Sequence, residues 1–370
     1  MLIKIKQGTN SHRHASILKP WYKMITHSQV ALDEEDIASV VKVLRSGRLA
    51  QGRVVASLED TIASFIGVSH AAAVNSGTAA LHLALLALGV GENAEVIMPS
   101  YVCTALLHAV KYVRAKPVVA DIDPHTYNIT AESIKKVITP KTQAVIVPHM
   151  FGLPADIKAI VALGIPVVED CAHSVGATVD GRYVGSFGAA SILSFYATKM
   201  LGAGEGGMVL ADSRELIEAV RDLRDYDEKE TYKVRYNYKL TDIQAALVES
   251  RFKKFPSCID KRNEVAAFYT TELEGIKVTL PVVPKGRKHG WYRYVIQLED
   301  PSSFMKEMEK RGIACRRPVF KPLHRYLSVA GCPVTDKVWE TAVSIPIYPS
   351  LSLDDAKRVT TAIKGILSVK

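Results

Sequence analysis

Three short segments of this 370-residue chain carry residue types that could do covalent chemistry together. In SFYATKMLGAGEGG, Lys199 stands just before a turn holding Gly202, Gly204, Gly206 and Gly207. Glycines let a main chain approach a ligand closely and adopt positive φ. A lysine shielded from water there gives up its proton readily and can form an imine with an aldehyde. In PVVEDCAHS, Glu169 and Asp170 follow an apolar run that reads as a buried strand. A carboxylate set against an aromatic ring nitrogen keeps that nitrogen protonated, an effect worth about 1.4–4 kcal/mol, and turns the ring into an electron sink. In AAAVNSGTAALHLALLAL a strand, a tight turn and a helix start succeed one another. The main-chain N–H groups of Gly77, Thr78 and Ala79, with the hydroxyls of Ser76 and Thr78, would then offer donors to a phosphate at the positive end of the helix.

Taken singly, each segment has a commonplace explanation. Most lysines are solvated surface charges, acids past a strand often cap a helix, and many helices begin with Ser or Thr and bind nothing. A phosphate loop, a post-strand Asp and a Lys before glycines in one α/β stretch form a more specific set.

The elements that must position these residues are legible around them. From Ala71 to Leu210, β-rich runs (AAAV, AEVIMP, KPVVADI, AVIVPHM, PVVED, ASILSF) alternate with helical stretches. That is the βαβ rhythm of a mostly parallel sheet covered on both faces, in which ligands sit at the carboxyl ends of the strands. Upstream, LDEEDIASVVKVLRSG spaces Ile37, Val40, Val41 and Leu44 as one face of a helix that Gly47 ends, and a second helix spans Val55 to Phe65. Past Asp212 the pattern turns to amphipathic helix, including IQAALVESRFKKFPSCIDKRNEVAAFYTTEL, a segment that would link two domains. From about Lys277 onward, strand-like YRYVIQL and helices at SSFMKEMEKRG and DDAKRVTTAIKGIL read as a smaller α+β lobe. The resulting division is an N-terminal extension over residues 1–28, a large α/β domain over 29–250 and a small C-terminal domain over 251–370, consistent with a chain too long for one core.

Composition narrows the function classes. The formal charge of +9 comes from Lys and Arg scattered along the chain; without a dense basic run interleaved with aromatics, no nucleic-acid partner is expected. A positive field also draws small anions into a cleft. Five cysteines, Cys103, Cys171, Cys258, Cys315 and Cys332, form no CxxC pair and suggest neither a disulfide framework nor a metal site. The expectation is a cytoplasmic protein with no membrane partner, since no apolar run reaches bilayer-spanning length.

LRSGRLAQG, NSGTAALHLAL, MPSYVCTA, VEDCAHSVGA, GSFGAASILSFYATKMLGAGEGG, YNYKLTDIQAAL and SIPIYPSLS occur in this order from about Ala31 to the C-terminus. On these motifs the chain resembles the DegT/DnrJ/EryC1/StrS aminotransferases, in the fold-type-I group of pyridoxal-phosphate enzymes. The resemblance implies pyridoxal 5'-phosphate as cofactor, with Lys199 forming the imine and moving the proton between cofactor and substrate. It also implies Asp170 at the ring nitrogen, His173 near the ring hydroxyl, and Gly77, Thr78 and Ser194 on the phosphate. Asn237 would reach that phosphate from the neighbouring subunit, so a homodimer with a shared active site is expected. The implied reaction transfers an amino group from an amino-acid donor, glutamate, to a keto sugar carried on a nucleotide, with Lys239, Arg316, Arg317 and Lys321 as candidate contacts to the diphosphate.

The pattern is broken at one place. Many relatives carry an aromatic residue two positions after the one matching Tyr101, where it stacks on the cofactor ring; here that position is Cys103. Either the Cys103 thiol packs on the ring or Tyr101 swings across it. Other readings are a dehydratase or lyase on the same scaffold, which the resemblance disfavours because the dehydratases replace the lysine by histidine, and a non-catalytic regulatory relative. A desulfurase is disfavoured because no exposed cysteine-bearing loop is recognisable.

Overall fold

The computed structural model describes residues 24–368. Seven strands make the central sheet: β1 (His70–Val74), β2 (Glu95–Pro99), β3 (Lys116–Ala120), β4 (Thr142–Pro148), β5 (Val167–Asp170), β6 (Ala190–Ser194) and β7 (Gly207–Ala211), ordered β1-β7-β6-β5-β4-β2-β3. The β2–β3, β2–β4, β4–β5 and β5–β6 pairs are parallel, whereas β7 runs antiparallel to both β1 and β6. The short GMVLA run of β7 is absent from the expected strands, because it sits directly behind the glycine-rich turn.

Successive side chains of a strand point to opposite faces, and here both faces are covered. Val96 and Met98 enter one core while Ile97 enters the other, and Ala144/Ile146 against Val145/Val147 repeat the division on β4. This double burial is why the strands read as continuous apolar runs. Helix α3 (Gly77–Ala87), against which α4 (Ala105–Tyr112) packs, is buried on every side from Ala79 to Leu85, the signature of a helix held between layers. Burial depresses the pKa of its His82 to about 4.

The helical segments differ in detail from expectation. Helix α1 spans Glu34–Ser46 and ends at Gly47 with φ 69°, but its expected apolar face is not its packed one. Ile37 and Leu44 are about half exposed, while Asp36 and Val43 are buried; Asp36 is held by Ser250 Oγ at 2.7 Å and Lys254 Nζ at 2.8 Å. Helix α2 covers Arg53–Ile66. The long amphipathic stretch breaks into α6 (Asp242–Lys253) and α7 (Phe255–Leu273), after α5 (Arg214–Leu223), with Lys254 at the junction and Pro256 in the first turn of α7, a position that suits proline. Helix α7 then crosses between cores: Phe255 and Ile259 pack under the large sheet, whereas Val265, Ala266, Tyr269 and Leu273 pack in the C-terminal core. The change of core therefore falls inside α7, past the expected boundary at residue 250.

Residues 1–23 lie outside the described residues, but 24–28 dock on the C-terminal lobe. Ile25 is in its core, its N–H donates to Gly312 O at 2.9 Å, and its carbonyl accepts from Ala314 N at 2.9 Å. That lobe is built on β8 (Tyr294–Gln297) paired antiparallel with β9 (Ala342–Ile345). The lobes are pinned by His324: Nδ1 pairs with Ser100 Oγ at 2.6 Å and Nε2 with Asp336 Oδ1 at 3.1 Å. Ser100 is fully buried and its Oγ also accepts the His324 N–H, so this Ser-His-Asp arrangement is a strut.

Candidate active site

The parallel strands β5 and β6 end beside one another, and their last residues open the site. Asp170 closes β5 with 8% of its surface exposed. Its Oδ1 accepts the Ala172 N–H at 3.0 Å, the single side-chain hydrogen bond made to it among the described residues. Burial raises its pKa, partly offset by the Ala172 N–H and the Lys199 charge. A carboxyl so desolvated has an unmet demand for a cation, which is what a protonated ring nitrogen would supply.

Its neighbour Glu169 faces the opposite side of the strand and has a structural task. Its oxygens accept from Gly185 N (2.9 Å), Phe187 N (2.7 Å) and Gly188 N (2.8 Å), and His149 Nε2 lies 3.0 Å away. Burial alone would raise its pKa; the His149 contact and these N–H donors bring it below the usual carboxylate range. His149 Nδ1 accepts the Ala155 N–H, so the imidazole donates to Glu169 through Nε2. His149 and Glu169 thus form a buried hydrogen-bonded knot, with the Cys171 thiol close by.

Past Ser194, the last residue of β6, the chain makes a narrow loop that carries Lys199. The loop closes through Phe195 N to Gly206 O, Ala197 N to Gly204 O and Ala203 N to Phe195 O, each 2.8 Å. Two of its glycines serve that closure: Gly204 has φ +89°, and a Cβ on Gly202 would lie 2.2 Å from Ala197 O. Lys199 is half-buried. Its Nζ lies 5.2 Å from the centroid of the Tyr292 ring, and its charge bears on Asp170, His173, Cys103 and Tyr292 alike. Burial raises the Tyr292 phenol, but Lys199 and Arg293 outweigh it and the net direction is down.

The start of α3 stands against the end of β6. A Cβ on Gly77 would come 2.8 Å from Ser194 Cβ, and a Cβ on Gly207 would come 2.5 Å from Ser76 O. Ser76 caps the helix by accepting the Ala79 N–H at 3.0 Å. Ala79 is thereby removed as an expected donor, because its N–H is already used. The Gly77 and Thr78 N–H groups make no hydrogen bond among the described residues, and with the Ser76, Thr78 and Ser194 hydroxyls they form an anion-accepting end.

His173 stacks on Tyr292 with centroids 4.3 Å apart and planes at 18°; burial, then Lys199 and Arg293, hold its pKa well below the ordinary histidine value, so the ring is neutral. Residues 101 and 103 differ in exposure. Tyr101 is fully buried against Tyr127 and Phe151, its hydroxyl unpartnered among the described residues, and it offers the cleft no surface; as an expected cofactor contact it is corrected. Cys103 is exposed, yet the mass of protein around it raises its pKa. The residue reaches solvent while protein packs around its thiol. The loop carrying it was not recognisable in sequence, and its protonated thiol is the opposite of an activated sulfur nucleophile.

Asn237 is exposed. Its carbonyl accepts from Asn75 Nδ2 at 3.2 Å and its side chain makes no hydrogen bond among the described residues. Of the basic residues expected near a diphosphate, Lys239 pairs with Asp225, Arg317 donates to Trp339 O and Glu340 O at 2.6 and 2.9 Å, and Lys321 lies over the Tyr326 ring. Arg316 alone of the four lines a cavity shared with Thr198 and Tyr292. Tyr292 and Arg293 were missed, since YRYVIQL shows only strand periodicity. A wider cavity of about 860 Å³ in the C-terminal lobe, lined by residues such as Ile276, Phe304 and Ile366, lies apart from all of these groups.

The expected cofactor fits this arrangement: the unpartnered Gly77 and Thr78 N–H groups suit its phosphate, and the desolvated Asp170 suits its ring nitrogen. Residues 30–364 match the DegT/DnrJ/EryC1/StrS aminotransferase family. The chain is 36% identical over 349 residues to the UDP-N-acetyl-3-dehydro-alpha-D-glucosamine 3-aminotransferase of Acidithiobacillus ferrooxidans, covering 91% of this chain and 95% of that protein. Among solved structures, aminotransferase TlmJ from Streptoalloteichus hindustanus superposes with a TM-score of 0.90 at 29% identity, covering 94% of this chain and 99% of that one. DesV of S. venezuelae, solved with a ketimine intermediate, gives 0.86 at 32% identity over 90% of this chain and 94% of its own.

Proposed function

The chain belongs to the DegT/DnrJ/EryC1/StrS aminotransferase family, and on that premise we propose that it moves an amino group from glutamate to the keto carbon of a nucleotide-linked sugar. It is a pyridoxal-phosphate-dependent sugar transaminase. The observation carrying the residue assignments is the meeting of Asp170, Lys199 and the Gly77–Ser194 contact at one end of the sheet. The 3-aminotransferase relative acts on a UDP-linked 3-dehydro sugar, which supports a nucleotide sugar as acceptor.

When bound, pyridoxal phosphate supplies an aldehyde that condenses with amines and a protonated ring that accepts electron density. The residues of the chain do the rest. Gly77, Thr78 and Ser194 hold the phosphate through N–H and hydroxyl donors. Asp170 would keep the ring nitrogen protonated, and His173, stacked on Tyr292, would lie near the ring hydroxyl. Lys199 would hold the group through its Nζ, and its free amine would take a proton from the donor's α-carbon and return protons during transfer to the sugar. Cys103 stands exposed where relatives have an aromatic residue.

A homodimer in a cytoplasmic setting belongs to the same proposal. Val30, Leu32, Ile37, Leu44 and Leu49 expose apolar surface along the N-terminal helical region, uncovered among the described residues; a second copy would bury them. The Asn237 side chain is likewise free to complete a partner's phosphate site. All five cysteines are free thiols, as suits a reducing compartment, and among the described residues no helix is long and apolar enough to cross a membrane.

The test is to incubate the cofactor-loaded protein with glutamate alone. Conversion of the yellow form to the amine form of the cofactor, with release of 2-oxoglutarate, is expected; a keto-sugar nucleotide should then restore the original absorbance. An unchanged spectrum with every amino acid tried would defeat the transaminase assignment.

A further inference from the structure

Helix α3 is apolar along its buried stretch except at one position. From Ala79 to Leu85 every residue is buried, and among these alanines and leucines stands His82, 2% exposed. Its Nε2 has no hydrogen-bond partner among the described residues, and Tyr238 Oη lies 3.5 Å from its Nδ1, the long limit of a hydrogen bond. Burying an imidazole so poorly satisfied costs more than a leucine would at the same place, so packing alone does not account for it. What the ring does contact is aromatic. Its centroid lies 4.8 Å from that of Tyr236, 6.0 Å from that of Tyr238 and 5.4 Å from that of Tyr112 on α4, each pair at 63–66°, the edge-to-face arrangement that aromatic pairs prefer.

Tyr236 and Tyr238 belong to the segment that carries Asn237. Their rings stack on one another, with centroids 5.0 Å apart and planes at 18°, so the two share one face of an extended run and the residue between them turns to the other face. Asn237 is accordingly exposed. The main chain of the segment is fixed on both sides: the Tyr236 N–H donates to Leu223 O at 2.8 Å and the Tyr238 N–H to Arg224 O at 2.9 Å, while Tyr238 O accepts the Asn75 N–H at 2.8 Å. We propose that His82 is a positioning residue: with Tyr236 and Tyr238 it forms an aromatic pedestal that holds Asn237 at the reach a partner's phosphate site requires. The inference rests on the shared-site dimer put forward above and gives it a physical basis. The pedestal stands on the phosphate helix itself, since His82 lies one turn after Thr78 on the same face of α3. The helix whose mouth receives one phosphate thereby sets the side chain offered to the other.

Mixed dimers test it, because a defect in the pedestal should appear at the opposite site. Two differently tagged chains are co-expressed, one carrying Lys199→Ala, so that borohydride fixes pyridoxal phosphate only at the site of the other chain. Occupancy against cofactor concentration, read by intact mass, then reports that one site without any turnover. With His82→Leu on the Lys199→Ala chain, cofactor affinity at the intact site should fall roughly 10-fold, within the roughly 10- to 100-fold expected when the same chain carries Asn237→Ala instead. With His82→Leu on the chain that keeps Lys199, affinity should equal that of the parent mixed dimer. Tyr236→Leu, at a half-buried position, should repeat both results and takes the place of His82→Leu if that chain does not fold. A loss that follows the chain bearing the pedestal variant makes His82 a support of its own phosphate turn and overturns the proposal, as does unchanged affinity in both arrangements. Asn237→Ala separates the two readings. If it weakens the opposite site while the pedestal variants do not, only the pedestal falls; if it leaves the opposite site unchanged, the shared site falls and the pedestal with it, while transamination, tested by glutamate alone, stands.

Discussion

The Lys199 ammonium lies 5.2 Å from the centroid of the Tyr292 ring, although the two residues come from different lobes and are 93 positions apart. The aromatic face can stabilise the charged amine by about 0.5–2 kcal/mol, and the same ring is stacked on His173. The Lys199 amine is therefore positioned by both lobes.

Lys199→Ala should keep the fold, since the loop is closed by main-chain bonds, and lose the chemistry. Borohydride should leave no cofactor covalently attached, and the glutamate half-reaction should slow by at least roughly 10²–10⁴-fold. Single-turnover absorbance and intact mass check both. A cofactor adduct persisting in the variant would move the imine to another lysine.

Asp170 gives a pH prediction with a definite sign. Its folded pKa is raised by burial, so the folded, cofactor-free protein holds a proton that the unfolded chain has released. Stability is then lost as pH climbs from the ordinary Asp value of about 3.9 through the folded pKa. Cofactor-free Asp170→Asn should melt higher than wild type at neutral pH, with the advantage vanishing toward pH 4. With cofactor the order reverses, because affinity should drop roughly 10- to 1,000-fold without the carboxylate. Melting curves against pH with and without pyridoxal phosphate decide it.

Gly207→Ala should destabilise by about 1–3 kcal/mol. The new Cβ would stand 2.5 Å from the Ser76 carbonyl oxygen, a main-chain atom that cannot rotate away, and the phosphate loop must shift. Urea unfolding measures the loss, and the cofactor dissociation constant should worsen with it.

Cys103 is the cysteine exposed to solvent, with Cys171 and Cys332 buried. Thiol labelling should reach it, slowly at neutral pH because burial raises its pKa, and faster as pH passes the ordinary thiol range. Saturating cofactor should protect it, and Cys103→Ser should abolish the protected fraction. Labelling indifferent to cofactor would place the thiol away from the ring.

Ile37→Asp with Leu44→Asp should weaken self-association with little effect on the fold of one chain, because both side chains are about half exposed. Sedimentation across a concentration series tests this; variants as dimeric as wild type would point to another face.

What the sequence determined by itself is local. The βαβ rhythm, the cap at Ser76, the Gly47 helix stop and the motif neighbourhoods of Lys199 and Asp170 depend on nearest-neighbour geometry and on apolar runs buried on both faces, and these leave a period in the chain. Tertiary structure decided the rest. Whether Ile37 or Asp36 faces inward on α1 depends on Ser250 and Lys254, more than two hundred residues away, and whether Tyr101 or Cys103 meets the cleft depends on the aromatic packing of Tyr127 and Phe151. Arg316 was expected near an anion, but that it shares a cavity wall with Arg262 and Arg293 was not legible, since Arg262 comes from a linking helix, Arg293 from a strand start and Arg316 from a bridge to β9. Charges drawn from three separate elements come to share one wall only when folding removes the water between them.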